Sequence, residues 1–111
     1  MKLPNADQCQ IEEDKLRDYL LNPSHPVGRS KAQFFQRLGF RADTWQTLAA
    51  ALRQHAISGE VISTRATEYG MLYVVGGPLQ SAAPGNLEIC TVWHLDHGAV
   101  APRLVTAYPE N

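Results

Sequence analysis

The feature that most constrains this chain is a change of hydrophobic period at Gly59. Before it, apolar side chains recur at i, i+3 and i+4, the spacing of helices with one buried stripe. After it, β-branched residues and two-residue alternation take over, the period of strands. Leu16, Tyr19 and Leu20 mark a first helix over about 12–21, with Glu12, Glu13 and Asp14 at its positive N-terminal end. Asn22-Pro23 stops it, because a residue before proline is pushed out of the α region. Ala32, Phe35 and Leu38 form the stripe of a second helix. It is expected to begin near His25-Pro26-Val27-Gly28, with Ser24 as N-cap and Gly39 just past its end. Trp45, Leu48, Ala49 and Leu52 give a third, with Asp43 and Gln46 in capping-box spacing and the stripe ending before His55.

Four strands are expected beyond Gly59. Glu60–Thr67 is the first, and Glu68-Tyr69-Gly70 reads as a turn. The second runs over 71–75 and is stopped by Gly76-Gly77-Pro78, and residues 81–86 are a loop by composition. The third, 87–95, places Leu87, Ile89, Thr91, Trp93 and Leu95 on one face and Cys90, Val92 and His94 on the other, both partly covered. After the turn Asp96-His97-Gly98, the last strand covers 103–108. Helices followed by strands with short turns specify an α+β fold: three N-terminal helices packed on a four-stranded antiparallel meander. A length of 111 residues fits one domain, 1–111, able to bury a core without a disulfide or metal staple.

Composition narrows the function classes. Two cysteines, Cys9 and Cys90, exclude a disulfide scaffold and form no CxxC zinc motif. No apolar run is long enough for a membrane span, and the N-terminus is polar before a signal peptide could begin. A cytoplasmic domain without membrane contact is expected. The net charge of −1 is unevenly spread. Residues 1–22 balance at −2 and residues 56–111 at −3. Residues 23–55 carry Arg29, Lys31, Arg37, Arg41 and Arg53 against Asp43, a balance of +4. That suits a local cationic cleft better than a coat protein for nucleic acid, although a solvated helix face gives the same tally.

Among the four histidines, His94 and His97 flank Asp96 in a metal-like trio, but strand and turn would aim them apart. A solvated turn is the plainer reading. His55 ends a helix, where a cationic ring suits the dipole. His25 differs: it lies beside a helix start, with Gly28 permitting close backbone approach and Arg29 and Lys31 following. With these cations such a start can hold an anion, and a histidine there can move protons near neutral pH, although a histidine that merely caps or packs is the plainer reading. On the last strand, alternation puts Leu104, Thr106 and Tyr108 on one face, so two hydroxyls stand about 7 Å apart. Cys90 is expected to be a small buried hydrophobe. There is no phosphate loop or nucleophile elbow.

The stretch His25-Pro26-Val27-Gly28-Arg29-Ser30-Lys31-Ala32-Gln33-Phe34-Phe35 is followed by Leu38-Gly39-Phe40, Tyr69-Gly70 and Thr91-Val92-Trp93. The chain then closes on Pro102-Arg103-Leu104-Val105-Thr106-Ala107-Tyr108-Pro109. Over residues 3–109 it resembles a family of small uncharacterised bacterial proteins with the pattern HPxGRxKAxFF…LGF…YG…VW…PRLVTAYP. That family is remotely similar to the barnase/EndoU/colicin/RelE ribonucleases. The resemblance implies a toxin-like, metal-independent RNase needing no cofactor, in which the RNA 2′-hydroxyl is the nucleophile. It implies His25 as general base or acid and Arg29 or Lys31 on the scissile phosphate. Thr106 and Tyr108 would position phosphate or sugar, Trp93 would stack a base, and Arg103 would join in substrate binding. The implied partners are RNA and a small neutralising protein from an adjacent gene. The rival reading is a non-catalytic binding protein, or an antitoxin or immunity-type partner, using the same cleft.

Overall fold

The computed structural model describes residues 1–26, 28–80 and 87–110. The expected loop at 81–86 and Val27 of the second-helix motif lie outside the described residues. Helix α1 is Glu13–Lys15 and runs directly into a π-helical turn, Leu16–Leu20. Helix α2 is Arg29–Arg37, and α3 is Trp45–Ser58 after a 3₁₀ turn, Ala42–Thr44. Strands β1 (Glu60–Thr67), β2 (Gly70–Leu79), β3 (Leu87–Asp96) and β4 (Arg103–Pro109) form one antiparallel sheet in the order β1-β2-β3-β4. This is the α+β meander that the change of period at Gly59 calls for.

Helix ends show where local rules hold and where packing overrides them. Helix α2 closes with the bonds Gly39 N–H to Gln36 C=O and Phe40 N–H to Phe35 C=O, with Gly39 at φ 95°. This is a Schellman ending, and the Phe35 and Phe40 rings meet edge-on beneath it. Its start is later than expected. The N–H of Gly28 is taken by the imidazole of His25, so the ring does the capping assigned to Ser24. At α3 the expected capping box does not form. Asp43 pairs with Arg41 at 3.2 Å, and Thr44 is the N-cap residue, with no side-chain capping bond.

The stripe of α3 does not stop before His55; it continues through His55 and Ala56 into the core. His55 is 2% exposed and joins a buried relay with β3. Trp93 Nε1–H donates to Thr91 Oγ1 at 2.8 Å, and with Nε2 of a neutral His55 ring protonated toward a carbonyl, the Thr91 hydroxyl donates to His55 Nδ1 at 3.1 Å. His55 Nε2–H then donates to the carbonyl of Ile89 at 3.1 Å. The ring is neutral in this arrangement, not the cationic helix end expected. Burial holds its pKa below the ordinary 6.5, against the hydrogen bonds of Ile89 and Gly77 and the charges of Glu88 and Glu110. Folded protein therefore binds this proton less readily than unfolded chain. Stability is complete above the ordinary histidine range and falls as pH drops below it. The thermal midpoint should be lower at about pH 5.5 than at about pH 7.5, and His55→Gln should flatten the difference. Equal wild-type midpoints would contradict the relay.

Two strand expectations are corrected. Strand β2 runs through Gly76-Gly77-Pro78 to Leu79. β1 pairs with it only as far as Gly76, so Pro78 lies where β2 has lost that neighbour and needs no donor toward it. On β4, Thr106 is opposite Val92 but Leu104 is opposite Trp93, leaving Val105 as an extra residue. The bulge resets the alternation. Leu104 and Ala107 both face the core, while Thr106 and Tyr108 stand opposite Val92 and Cys90 on the outer face, half-buried. Cys90 is buried as expected, and burial raises its thiol pKa. Among the described residues no helix is long and apolar enough to cross a membrane.

Candidate functional site at the edge of strand β4

The edge strand β4, the π-helical turn and the start of α2 meet at Tyr19. The π turn carries the bond Leu21 N–H to Leu16 C=O at 2.8 Å. Tyr19 lies within this turn, while Leu16 and Leu20 on either side remain fully buried. Tyr19 is half-exposed, and its hydroxyl lies 3.3 Å from Thr106 Oγ1. Lys31 Nζ donates to the same hydroxyl at 2.6 Å and sits 5.1 Å from the ring centroid. The imidazole of His25 packs edge-on against that ring at 5.1 Å between centroids. Three of the residues singled out by sequence thus converge on Tyr19, which was not among them.

Gly28 makes this approach possible. A Cβ there would stand 2.5 Å from the Tyr19 carbonyl oxygen and 2.9 Å from its ring, closer than real contacts allow. Gly28→Ala must therefore push α2 away from the π turn. The expected result is a loss of about 1–3 kcal/mol of stability, read from urea unfolding, with disturbed Tyr19 and His25 side-chain NMR signals. Unchanged stability and signals would contradict the close packing.

The electrostatics are mixed. Burial pushes the Tyr19 phenol upward, but the hydrogen bonds from Lys31 and Thr106 and the charges of Lys31 and Lys15 outweigh it, leaving the pKa lowered. His25 Nδ1 accepts the Gly28 N–H at 2.9 Å, which places the proton of the neutral ring on Nε2. A groove of about 370 Å³ opens beside these groups, lined by Lys15, Tyr19, His25, Arg103 and Leu104 and by the acids Glu12, Asp14 and Asp18. Three carboxylates against Lys15 and Arg103 give the groove a mixed lining that is acidic on balance.

The remaining sequence candidates separate into three groups. Arg29 is exposed in the first turn of α2, with no ion-pair partner among the described residues. Arg103 lines the groove and also donates to Asp96 at 3.4 Å. Tyr108 stays on the outer face beside Cys90, apart from the Tyr19 cluster. Trp93 is 0% exposed, so it has no ring face for a base, and its role is the relay to Thr91 and His55. The basic stretch 23–55 is not one patch: Arg41 is paired with Asp43, and Arg53 donates to the carbonyl of Cys9. His94, Asp96 and His97 line a different cavity, and among the described residues no trio of His, Cys, Asp or Glu is placed to hold a metal ion.

Tyr19 is the residue that sequence reasoning missed. Its place in the Leu16, Tyr19, Leu20 stripe reads as core. The available signal was its hydroxyl at the margin of that stripe, beside a helix that ends at proline.

A four-stranded meander with helices on one face and a polar cluster at one edge defines a small α+β domain. The chain belongs to the family described as Domain of unknown function (DUF6883), whose model matches residues 2–111. Among curated proteins none matches it. Among solved structures it is similar to a chain of a contact-dependent growth inhibition toxin–immunity protein complex from Klebsiella pneumoniae 342. The TM-score is 0.72 at 18% identity, covering 96% of this chain and 97% of that one, a likeness of fold.

Proposed function

We propose that this domain is an RNase-like toxin that cleaves RNA through attack of a 2′-hydroxyl on the adjacent phosphate. The observation that carries the reading is the convergence of His25, Lys31 and Thr106 on Tyr19 beside an open groove. In this chemistry the 2′-oxygen bonds to phosphorus, the bond to the 5′-oxygen breaks, and a 2′,3′-cyclic phosphate and a 5′-hydroxyl result. The 2′-hydroxyl gives up a proton and the leaving oxygen takes one. His25 carries the proton transfer, acting as base or acid at Nε2. Lys31 and Arg29 offset the charge that builds on the phosphate, and Arg103 holds a neighbouring one. Thr106 positions phosphate or sugar, Tyr19 sets the places of Lys31 and Thr106, and Tyr108, apart from this cluster, takes no part. No metal or cofactor enters this scheme. A toxin of this kind requires a small neutralising protein, which an adjacent gene would supply. The likeness of fold to a chain of a toxin–immunity complex supports such a partner.

A second reading has its own observation. Glu12, Asp14 and Asp18 on the groove lip suit a basic protein surface better than a phosphate. On that reading the domain is a non-catalytic, immunity-type binder using the same groove.

Induced expression in a bacterial host separates the two. The nuclease reading expects growth arrest with discrete RNA fragments, relieved by His25→Ala and by Thr106→Ala at equal soluble levels. Intact RNA and normal growth favour the binder. Tyr19→Phe keeps the ring but removes the hydroxyl that joins Lys31 to Thr106. Its kcat on RNA should fall about ten-fold or more, with a stability loss of only about 1 kcal/mol in urea unfolding. Unchanged kcat would remove Tyr19 from the site.

A further inference from the structure

A second cavity, of about 700 Å³, lies on the outer face of the sheet and is lined by Thr67, Tyr69, His94, Asp96, His97 and Arg103. Its polar groups are locked together. The N–H of Tyr69 donates to Thr67 Oγ1 at 3.3 Å, and the same hydroxyl is hydrogen-bonded to His94 Nε2 at 2.8 Å. His94 Nδ1–H in turn donates to Asp96 Oδ1 at 2.5 Å, and Arg103 donates to the same oxygen at 3.4 Å. The His94 bond, then Arg103, hold the Asp96 carboxyl below its usual range despite some burial, so it is ionised at neutral pH. Both main-chain groups of Tyr69 are engaged, the N–H by Thr67 and the C=O by His97 N–H at 2.8 Å. Its side chain is nevertheless 69% exposed at the rim. An exposed aromatic ring on a pinned backbone, lining one cavity with an ionised acceptor and an arginine, has the parts of a base-stacking site.

Arg103 lines both this cavity and the groove beside Tyr19 and His25, so one guanidinium borders the two. We infer that the cavity is a subsite for one unpaired nucleotide of the RNA flanking the cleaved bond. The base stacks on Tyr69 and gives an N–H to Asp96, and Arg103 takes the phosphate between the two positions. This rests on the RNA reading above, and it supplies the stacking surface that buried Trp93 does not provide.

The test is fluorescence anisotropy with a labelled, mixed-sequence 2′-O-methyl RNA hexamer, which blocks cleavage because the nucleophile is methylated. Tyr69→Ala should weaken binding roughly ten-fold, whereas Tyr69→Phe should bind as wild type does. Asp96→Asn should weaken binding of the same hexamer severalfold, because the amide keeps one acceptor oxygen where the carboxylate offers two. Circular dichroism melts establish that each variant is folded; exposed Tyr69 makes no side-chain contribution to the core. If wild type binds the hexamer and cleaves ordinary RNA but Tyr69→Ala binds equally well, the subsite is wrong and the RNA reading stands. If wild type neither binds nor cleaves RNA, both fall.

Discussion

Replacing His25 with alanine should slow RNA cleavage by about 10²–10⁴-fold, the range for removing a positioned proton-transfer group. Alanine alone does not isolate that role, because the His25 ring also caps Gly28 through Nδ1 at 2.9 Å. His25→Asn separates the two. An asparagine side-chain oxygen can accept the Gly28 N–H as an N-cap does, but it does not exchange a proton near neutral pH. The asparagine variant should regain most of the stability lost in alanine and remain inactive. Cleavage at wild-type rate by His25→Asn would reduce His25 to a cap and return the chemistry to other groups.

The second large effect concerns stability. Trp93→Ala empties the centre of the core and strips Thr91 of its donor, at a cost of about 3–5 kcal/mol, enough to unfold much of a marginally stable domain. Trp93→Phe retains most of the volume and loses mainly the indole N–H, so it should cost about 1–2 kcal/mol. Urea titration reads both. The functional corollary is equally definite: folded Trp93→Phe should bind the 2′-O-methyl hexamer as wild type does. A specific loss of RNA affinity without loss of stability would restore the base-stacking role that burial denies it.

These residues also show which features could be read from sequence. The period change at Gly59, the stripe Ala32, Phe35, Leu38 and the glycine ending of α2 are local properties of the chain, and each appears in the fold. His25, Lys31 and Thr106 were legible as chemistry, because an imidazole and a cation near a helix start stand out in a mostly neutral sequence. What joins them was not legible. The Tyr19–Thr106 contact spans 87 positions, and it depends on a π turn and a β4 bulge, neither of which has a sequence period. His55 was misplaced for a simpler reason: it stands three residues after Leu52 and continues the stripe, but histidine was not counted among core residues. Trp93 was placed on the correct strand face, and the resemblance then assigned it an exposed task that the face excludes.

The most direct measurement incubates purified protein with total bacterial RNA in the presence of EDTA and maps the fragment ends. Attack by the 2′-hydroxyl with protein groups alone predicts discrete fragments ending in 2′,3′-cyclic phosphate with 5′-hydroxyl partners, absent with His25→Asn. Intact RNA, or fragments bearing 5′-phosphates, would contradict the account.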